Sequence, residues 1–307
     1  MNEFVLKTRN LSKKYQGDFA IKDVNLTVRK GEIYGFIGQN GAGKSTFLRL
    51  ATGLSFPTNG TVELFGISDQ KEMTKALKRV GAIIESPALY PQMTAFQNLE
   101  VHRLQKGIPG KECIKKTLEL VGLQHTGKKK TKNFSLGMKQ RLGLAIALLG
   151  EPEFLILDEP TNGLDPTGII ELRELLKRLN KEKGLTILIS SHILNELHQL
   201  ATHYGIIHKG KLLEQLSSRE MNDKCRKYIH IKVDSPQQAA VIIESKLETT
   251  NFEVMPDDTI KLYEHIDTSA KVSKVLSMNG LTIEQFALMG DTLENYFTKL
   301  IGGEDRE

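Results

Sequence analysis

The sequence predicts an α/β fold wound around a parallel sheet, and three observations predict it. A glycine-rich run follows the strand-like segment 33–37 and leads into a helical pattern at 46–54; an acidic pair follows the apolar run 154–157; a histidine lies just past the apolar run 186–189. Each places polar residues beyond the end of an apolar strand, at the carboxyl edge of a parallel sheet where ligands collect.

The elements follow in order. Residues 6–28 alternate strand-like runs with polar turns, a strand-rich start before the α/β centre. Residues from about 86 to 150 read mostly helical, with helices expected at 95–104, 111–121 and 137–149, the last capped by Ser135. The sheet resumes at 154, followed by a helix at 168–181 and strands at 185–190 and 204–208. A polar linker is expected at 215–223. Beyond it a small α/β unit is expected: strand 228–233, helix 236–247, strands 252–255 and 259–263, helix 268–279, strand 281–286 and helix 292–300.

Composition narrows the function classes. A chain of 307 residues buries a full core and leaves about 90 residues for a second module. The net charge of +5 is modest, and the run Lys128-Lys129-Lys130-Thr131-Lys132 has no interleaved aromatics, so it reads as a solvated loop and no nucleic-acid partner is expected. No stretch of 18 apolar residues occurs, so the chain is not expected to form a pore itself. Residues 1–7 alternate like a strand and lack the basic-then-apolar pattern of a secretory signal. Cys113 and Cys225 are far apart and in no C-x-x-C pattern, which suggests neither a disulfide framework nor a zinc site.

The chemistry resides in the motifs. Gly38-Gln39-Asn40-Gly41-Ala42-Gly43-Lys44-Ser45 fits G-x-x-x-x-G-K-[ST] in its strand-to-helix context. Its glycines let successive N–H groups face phosphate oxygens, and the helix that follows adds its positive dipole end. Lys44 is expected to reach the β- and γ-phosphates and Ser45 to ligate Mg²⁺. Asp158 is expected to hold Mg²⁺ through water, and Glu159 to polarise the water that attacks the γ-phosphate. Ser135, as an N-cap, gives the segment Asn133-Phe134-Ser135-Leu136-Gly137-Met138-Lys139-Gln140-Arg141 an anion site of its own. That is a second phosphate-facing segment, and a second copy or a close relative is expected to use it.

Taken together, these motifs resemble the nucleotide-binding subunit of an ABC transporter over residues from about 4 to 216. The resemblance implies a P-loop NTPase ABC ATPase core over 1–217, with a strand-rich N-terminal subdomain and a helical subdomain, and a small C-terminal α/β accessory domain over 218–307. It implies that Tyr15 stacks on adenine, and that Gly38, Asn40, Gly41, Ala42, Gly43, Lys44, Ser45 and Thr46 bind ATP. It also implies that Phe134-Ser135-Leu136-Gly137-Met138 is the signature segment, with Ser135 and Gly137 contacting the opposite nucleotide. Asn162-Gly163-Leu164-Asp165 matches the loop that crosses the dimer interface, and His192 the switch histidine near the γ-phosphate. Leu136 and Met138 replace the family's usual Gly and Gln, so the segment is read as altered but competent.

Glu85 stands where the family ordinarily has glutamine, in the loop that contacts Mg²⁺ and the membrane-spanning partner; this and the segment Met93-Thr94-Ala95-Phe96-Gln97-Asn98-Leu99 are similar to the bacitracin-type and lantibiotic self-protection exporters. By this resemblance the chain is a catalytic ATPase that uses ATP and Mg²⁺, pairs as a homodimer or with a related subunit, and drives a separate transmembrane permease. Its place would be the cytoplasmic face of the membrane, held through the permease, and its cargo a peptide antibiotic. The competing reading is a soluble ATP-switched protein of the same superfamily acting on the ribosome or DNA. Such translation factors usually join two domains and the repair ATPases insert a coiled coil, whereas this chain has one motif set and no sustained heptads.

Overall fold

The computed structural model describes residues 3–69, 71–290 and 293–304. Met1, Asn2 and Thr292, assigned above to the strand-like start and the last helix, lie outside the described residues. The chain divides into two compact units, Met1–Ser218 and Arg219–Glu307.

The first unit opens with β1 (Phe4–Tyr15), β2 (Asp18–Val24) and β3 (Thr27–Arg29), then β4 (Ile33–Ile37), α1 (Lys44–Ala51) and β5 (Asn59–Leu64). The antiparallel sheet has β1 between β2 and β3, and β5 also pairs with β1. After α2 (Met73–Leu77) and β6 (Val80–Ile83), three helices follow: α3 (Ala95–Gln105), α4 (Glu112–Leu120) and α5 (Leu136–Leu148). The chain returns through β7 (Phe154–Asp158), α6 (Pro166–Lys183), β8 (Thr186–Ser191), α7 (Leu194–His198), β9 (His203–His208) and β10 (Lys211–Ser217).

The second sheet runs β10-β9-β4-β8-β7-β6, parallel except for β10 against β9. Every residue of β4, β7 and β8 is buried, as expected of strands covered on both faces. Phe36 of β4 meets Phe47 of α1 with ring centroids 4.8 Å apart, fixing the phosphate-loop helix on the sheet.

Three helix starts bear on the site. Gly43 at φ +106 caps α1 from the left-handed region, and a Cβ there would lie 2.6 Å from the Ala20 carbonyl. The helix therefore begins inside the motif, at Lys44 rather than 46, and stops at Thr52, whose hydroxyl donates back to the Leu48 carbonyl at 2.8 Å. Ser135 caps α5, accepting the Met138 N–H, so the helix starts at Leu136, one residue earlier than expected. Asp165 caps α6 by accepting the Gly168 N–H, with Pro166 in the first turn and Gly184 closing the other end at φ +64.

The expected linker at 215–223 does contain the boundary between the two units, but as strand and helix rather than irregular chain. Gln215 lies exposed in β10, and its amide ties that strand to β4 and to the turn after β2: its oxygen accepts the Tyr34 hydroxyl at 3.0 Å, and its nitrogen donates to the Asn25 carbonyl at 3.0 Å. From Ser218 the chain enters α8 (Ser218–Cys225), where Met221 is fully buried. Polar composition misled because Gln215 spends its polarity on internal hydrogen bonds.

The second unit contains β11 (Tyr228–Val233), α9 (Pro236–Lys246), β12 (Phe252–Val254), β13 (Thr259–Leu262), α10 (Ser269–Met278), β14 (Ile283–Met289) and α11 (Leu293–Glu304). Its antiparallel sheet is ordered β12-β13-β11-β14, a β-α-β-β-α-β arrangement. Ile229, Ile231 and Val233 alternate into a core shared with Ile260 and Leu262 of β13 and Ile243 and Leu276 of the helices. Among the described residues no helix is long and apolar enough to cross a membrane.

Candidate active site

The site lies at the carboxyl ends of β4, β7 and β8. Adjacent parallel pairing sets Asp158 of β7 beside Ser190 of β8 and Ile37 of β4 beside Ser191, so the phosphate loop, the acidic pair and the histidine turn share one edge. Gly38 is tied to this edge by donating its N–H to the Ser191 carbonyl at 3.4 Å. It also lies too close to β9 for a side chain: a Cβ would sit 2.6 Å from the Ile207 carbonyl.

Glu159 is the centre of the arrangement. Its Oε1 lies 3.0 Å from Lys44 Nζ. Its Oε2 accepts from Asn162 Nδ2 at 2.6 Å and lies 2.8 Å from His192 Nδ1. Burial pushes the Glu159 carboxyl up, but hydrogen bonds from Lys44 and Asn162, the Lys44 charge and the His192 contact outweigh it and hold it below the ordinary value. The Glu159 backbone is left-handed at φ +45, a conformation a glutamate adopts only where its surroundings impose it. Lys44 is buried and also donates to the Gly38 and Gln39 carbonyls at 2.7 and 3.2 Å. It is thus a cation with its whole donor set at the mouth of the phosphate loop.

Asp158 is buried, and its Oδ1 accepts the Ser190 hydroxyl at 2.6 Å. The same Ser190 oxygen accepts the Glu159 N–H at 3.0 Å. One residue on, Ser191 Oγ accepts the Ile193 N–H at 2.9 Å and forms the tight turn that presents His192. Gly43 has no side chain to cap α1, so the first-turn amides of Lys44, Ser45 and Thr46 stay available to an anion.

The donor set suits Mg²⁺ rather than an all-protein cation cage. Among the described residues no three His, Cys, Asp or Glu side chains cluster, and the Ser45 hydroxyl takes no hydrogen-bond partner. One buried carboxylate and one free hydroxyl match a small cation that keeps waters and completes its shell with phosphate oxygens.

Other expected site residues lie apart from this cluster. Tyr15 ends β1 half-exposed, with the Lys13 ammonium 5.2 Å from its ring centroid. Glu85, at φ +64, pairs with Arg49 of α1. Ser135 is exposed at the start of α5, and Gly137 follows it; a Cβ on Gly137 would approach only Leu164, at 3.6 Å. Leu136 rests against Gly163, where a Cβ would collide with it, so within one chain the signature segment packs on the Asn162–Asp165 segment. In the run at 128–132 the four lysines are exposed, as a solvated loop expects, and the buried Thr131 anchors it, donating its hydroxyl to the Tyr90 carbonyl at 2.8 Å and its N–H to the Met93 carbonyl at 2.9 Å.

Sequence reasoning missed Ser190, the contact of Asn162 with Glu159, and Arg49. The available signal for Ser190 was a pair of serines closing an otherwise apolar strand, which demands a polar partner inside. Asn162 and Arg49 are polar residues on loop and helix, and nothing in their spacing points to their partners.

Comparisons with known proteins establish the family. The ABC transporter family model matches residues 21–162. The chain is 46% identical to the bacitracin transport ATP-binding protein BcrA of Bacillus licheniformis, over 97% of this chain and 98% of that protein. It is 43% identical to the BcrA protein of Enterococcus faecalis over 98% and 97%. The lantibiotic transport ATP-binding protein SrtF of Streptococcus pyogenes is 45% identical over 68% of this chain and 89% of that protein. Among solved structures, the ATP-binding cassette MJ0796, a dimer in a post-hydrolysis state with ADP and Pi, has a TM-score of 0.64 at 28% identity, covering 70% of this chain and 99% of that one. The cbiO1 protein of Clostridium perfringens has a TM-score of 0.65 at 29% identity, covering 73% and 92%. The chain belongs to the ATP-binding subunits of ABC transporters; it binds ATP and is an ATPase.

Proposed function

From that membership we propose that this subunit powers the export of a peptide antibiotic of the bacitracin type through a separately encoded membrane-spanning permease. The observation that carries the cargo class is the extent of the match. The bacitracin proteins align over nearly the whole chain, second unit included, whereas the lantibiotic protein aligns over 68% of it. The subunit would sit at the cytoplasmic face of the membrane, held there by the permease, with the second unit as an accessory domain.

Two copies, or this chain and a related subunit, enclose ATP between them. In one protomer Lys44 takes the β- and γ-phosphates, the loop from Gly38 through Asn40, Gly41, Ala42 and Gly43 to Thr46 wraps them, and Tyr15 covers the adenine. In the other, Ser135 and Gly137 at the start of α5 close on the γ-phosphate. Ser45 and Asp158 hold Mg²⁺, which would neutralise charge developing on the phosphates. Lys44 exchanges its contact with Glu159 for phosphate, which frees the Glu159 carboxylate to accept a proton from the attacking water, with Asn162 and His192 fixing its direction. Hydrolysis removes the bridge between protomers, and their parting is passed to the permease. Glu85, whose Oε1 pairs with Arg49, would join the cation's shell through its other oxygen. An unchanged rate and Mg²⁺ dependence in Glu85→Ala would remove it from that role.

Expression of the subunit with its permease in a sensitive host tests the reading. Bacitracin resistance is expected to rise and to vanish with Glu159→Gln. Resistance that fails to rise, or that rises only against lantibiotics, would overturn the cargo class.

A further inference from the structure

We infer that Ser190 is a positioning residue of the hydrolytic site, binding the metal-side and catalytic carboxylates into one unit through a single hydroxyl. The inference rests on the proposed placement of Mg²⁺ at Asp158.

The geometry is specific. Ser190 is fully buried in β8, directly across the ladder from Asp158. Its one proton goes to Asp158 Oδ1 at 2.6 Å, and its oxygen accepts the Glu159 N–H at 3.0 Å. The first bond orients the Asp158 carboxylate and leaves its other oxygen free for a hydrated cation. The second bond supplies a partner to an amide that strand pairing has stopped serving, because Glu159 turns into the left-handed region at φ +45. That turn aims the Glu159 side chain at Lys44, Asn162 and His192. Both carboxylates thus take their direction from one fully buried side chain.

The hydroxyl, rather than the volume, is what the site needs. An apolar residue at 190 would leave a buried carboxylate oxygen and a buried N–H unsatisfied at once. Threonine keeps the hydroxyl and suits a strand, so it separates positioning from packing.

The test uses the full chain and compares Ser190→Ala with Ser190→Thr. Nucleotide affinity is measured by equilibrium fluorescence with MgATP and with ATP in chelator, alongside single-turnover hydrolysis. The gain in affinity on adding Mg²⁺ is expected to fall roughly tenfold in Ser190→Ala, with chelated ATP bound as in the wild type, and to return in Ser190→Thr. The binding of chelated ATP reports that the fold is intact. If Ser190→Ala does not fold, Ser190→Cys, with its weak donor, is expected to lose the same Mg²⁺ gain. A full Mg²⁺ gain and wild-type turnover in the folded Ala or Cys variant, or a Thr variant as impaired as Ala, overturns the inference. A wild type with no Mg²⁺ gain would instead overturn the placement of Mg²⁺ at Asp158.

Discussion

The two units treat buried polarity differently. Among the described residues the first unit buries Lys44 and Asp158 at one sheet edge with Ser190 and Ser191, and holds Glu159 in a left-handed backbone beside them. Among the described residues of the second unit the buried polar side chains are Thr249 and Thr259, and its core is an alternating apolar face against two helices. A charge taken out of water costs several kcal/mol unless it is paired, and at this edge the pairing gathers Lys44, Asp158 and Glu159 beside the phosphate loop. Among its described residues the second unit has no such cluster, which fits the proposed accessory role, while the edge of the first is the proposed engine.

Substitutions break or sharpen that contrast. Glu159→Gln keeps the shape and removes the base. Phosphate release is expected to fall about a hundred- to ten-thousandfold, with nucleotide still bound in an equilibrium assay. Lys44→Ala removes the phosphate partner and leaves Glu159 without its cation, so ATP affinity is expected to fall about ten- to a hundredfold by titration.

The Glu159 carboxyl is held below its ordinary value of 4.5 by its partners, led by Lys44. A depressed carboxyl stabilises the fold above its unfolded value, and the contribution disappears as pH falls through the folded value. Acid unfolding curves should therefore show the wild type losing more stability below pH 4.5 than Glu159→Gln does. The smallest effect on turnover is expected from Ile231→Ala. It should cost the second unit about 2–5 kcal/mol in denaturant unfolding and leave the ATPase rate of the isolated subunit unchanged. A proportional loss of ATPase would erase the distinction between the units.

What was legible in the sequence follows from how local each signal is. The strand at 33–37, the phosphate loop and the apolar run before Asp158 and Glu159 are each contained in a few residues, and the helix starts at Ser135 and Asp165 carry their own caps. Contacts that depend on strand register were not legible. Ser190 meets Asp158 because β7 and β8 pair in one alignment, and Arg49 meets Glu85 across a loop. The regular structure of the segment joining the units was hidden for the same reason, since Gln215 finds its partners Tyr34 and Asn25 far away in the chain. Nor did composition reveal that Leu136 settles on Gly163, which gives the altered signature segment an intrachain support.

The central claim is that neither protomer holds a complete active centre, because Ser135 and Gly137 face a phosphate bound by another copy. Sedimentation of the Glu159→Gln protein at saturating MgATP tests it most directly. Dimers holding two nucleotides are expected, reverting to monomers when Ser135 is also replaced by a bulky acidic residue such as Glu. A species that stays monomeric with nucleotide bound, both alone and with the permease, would contradict the claim.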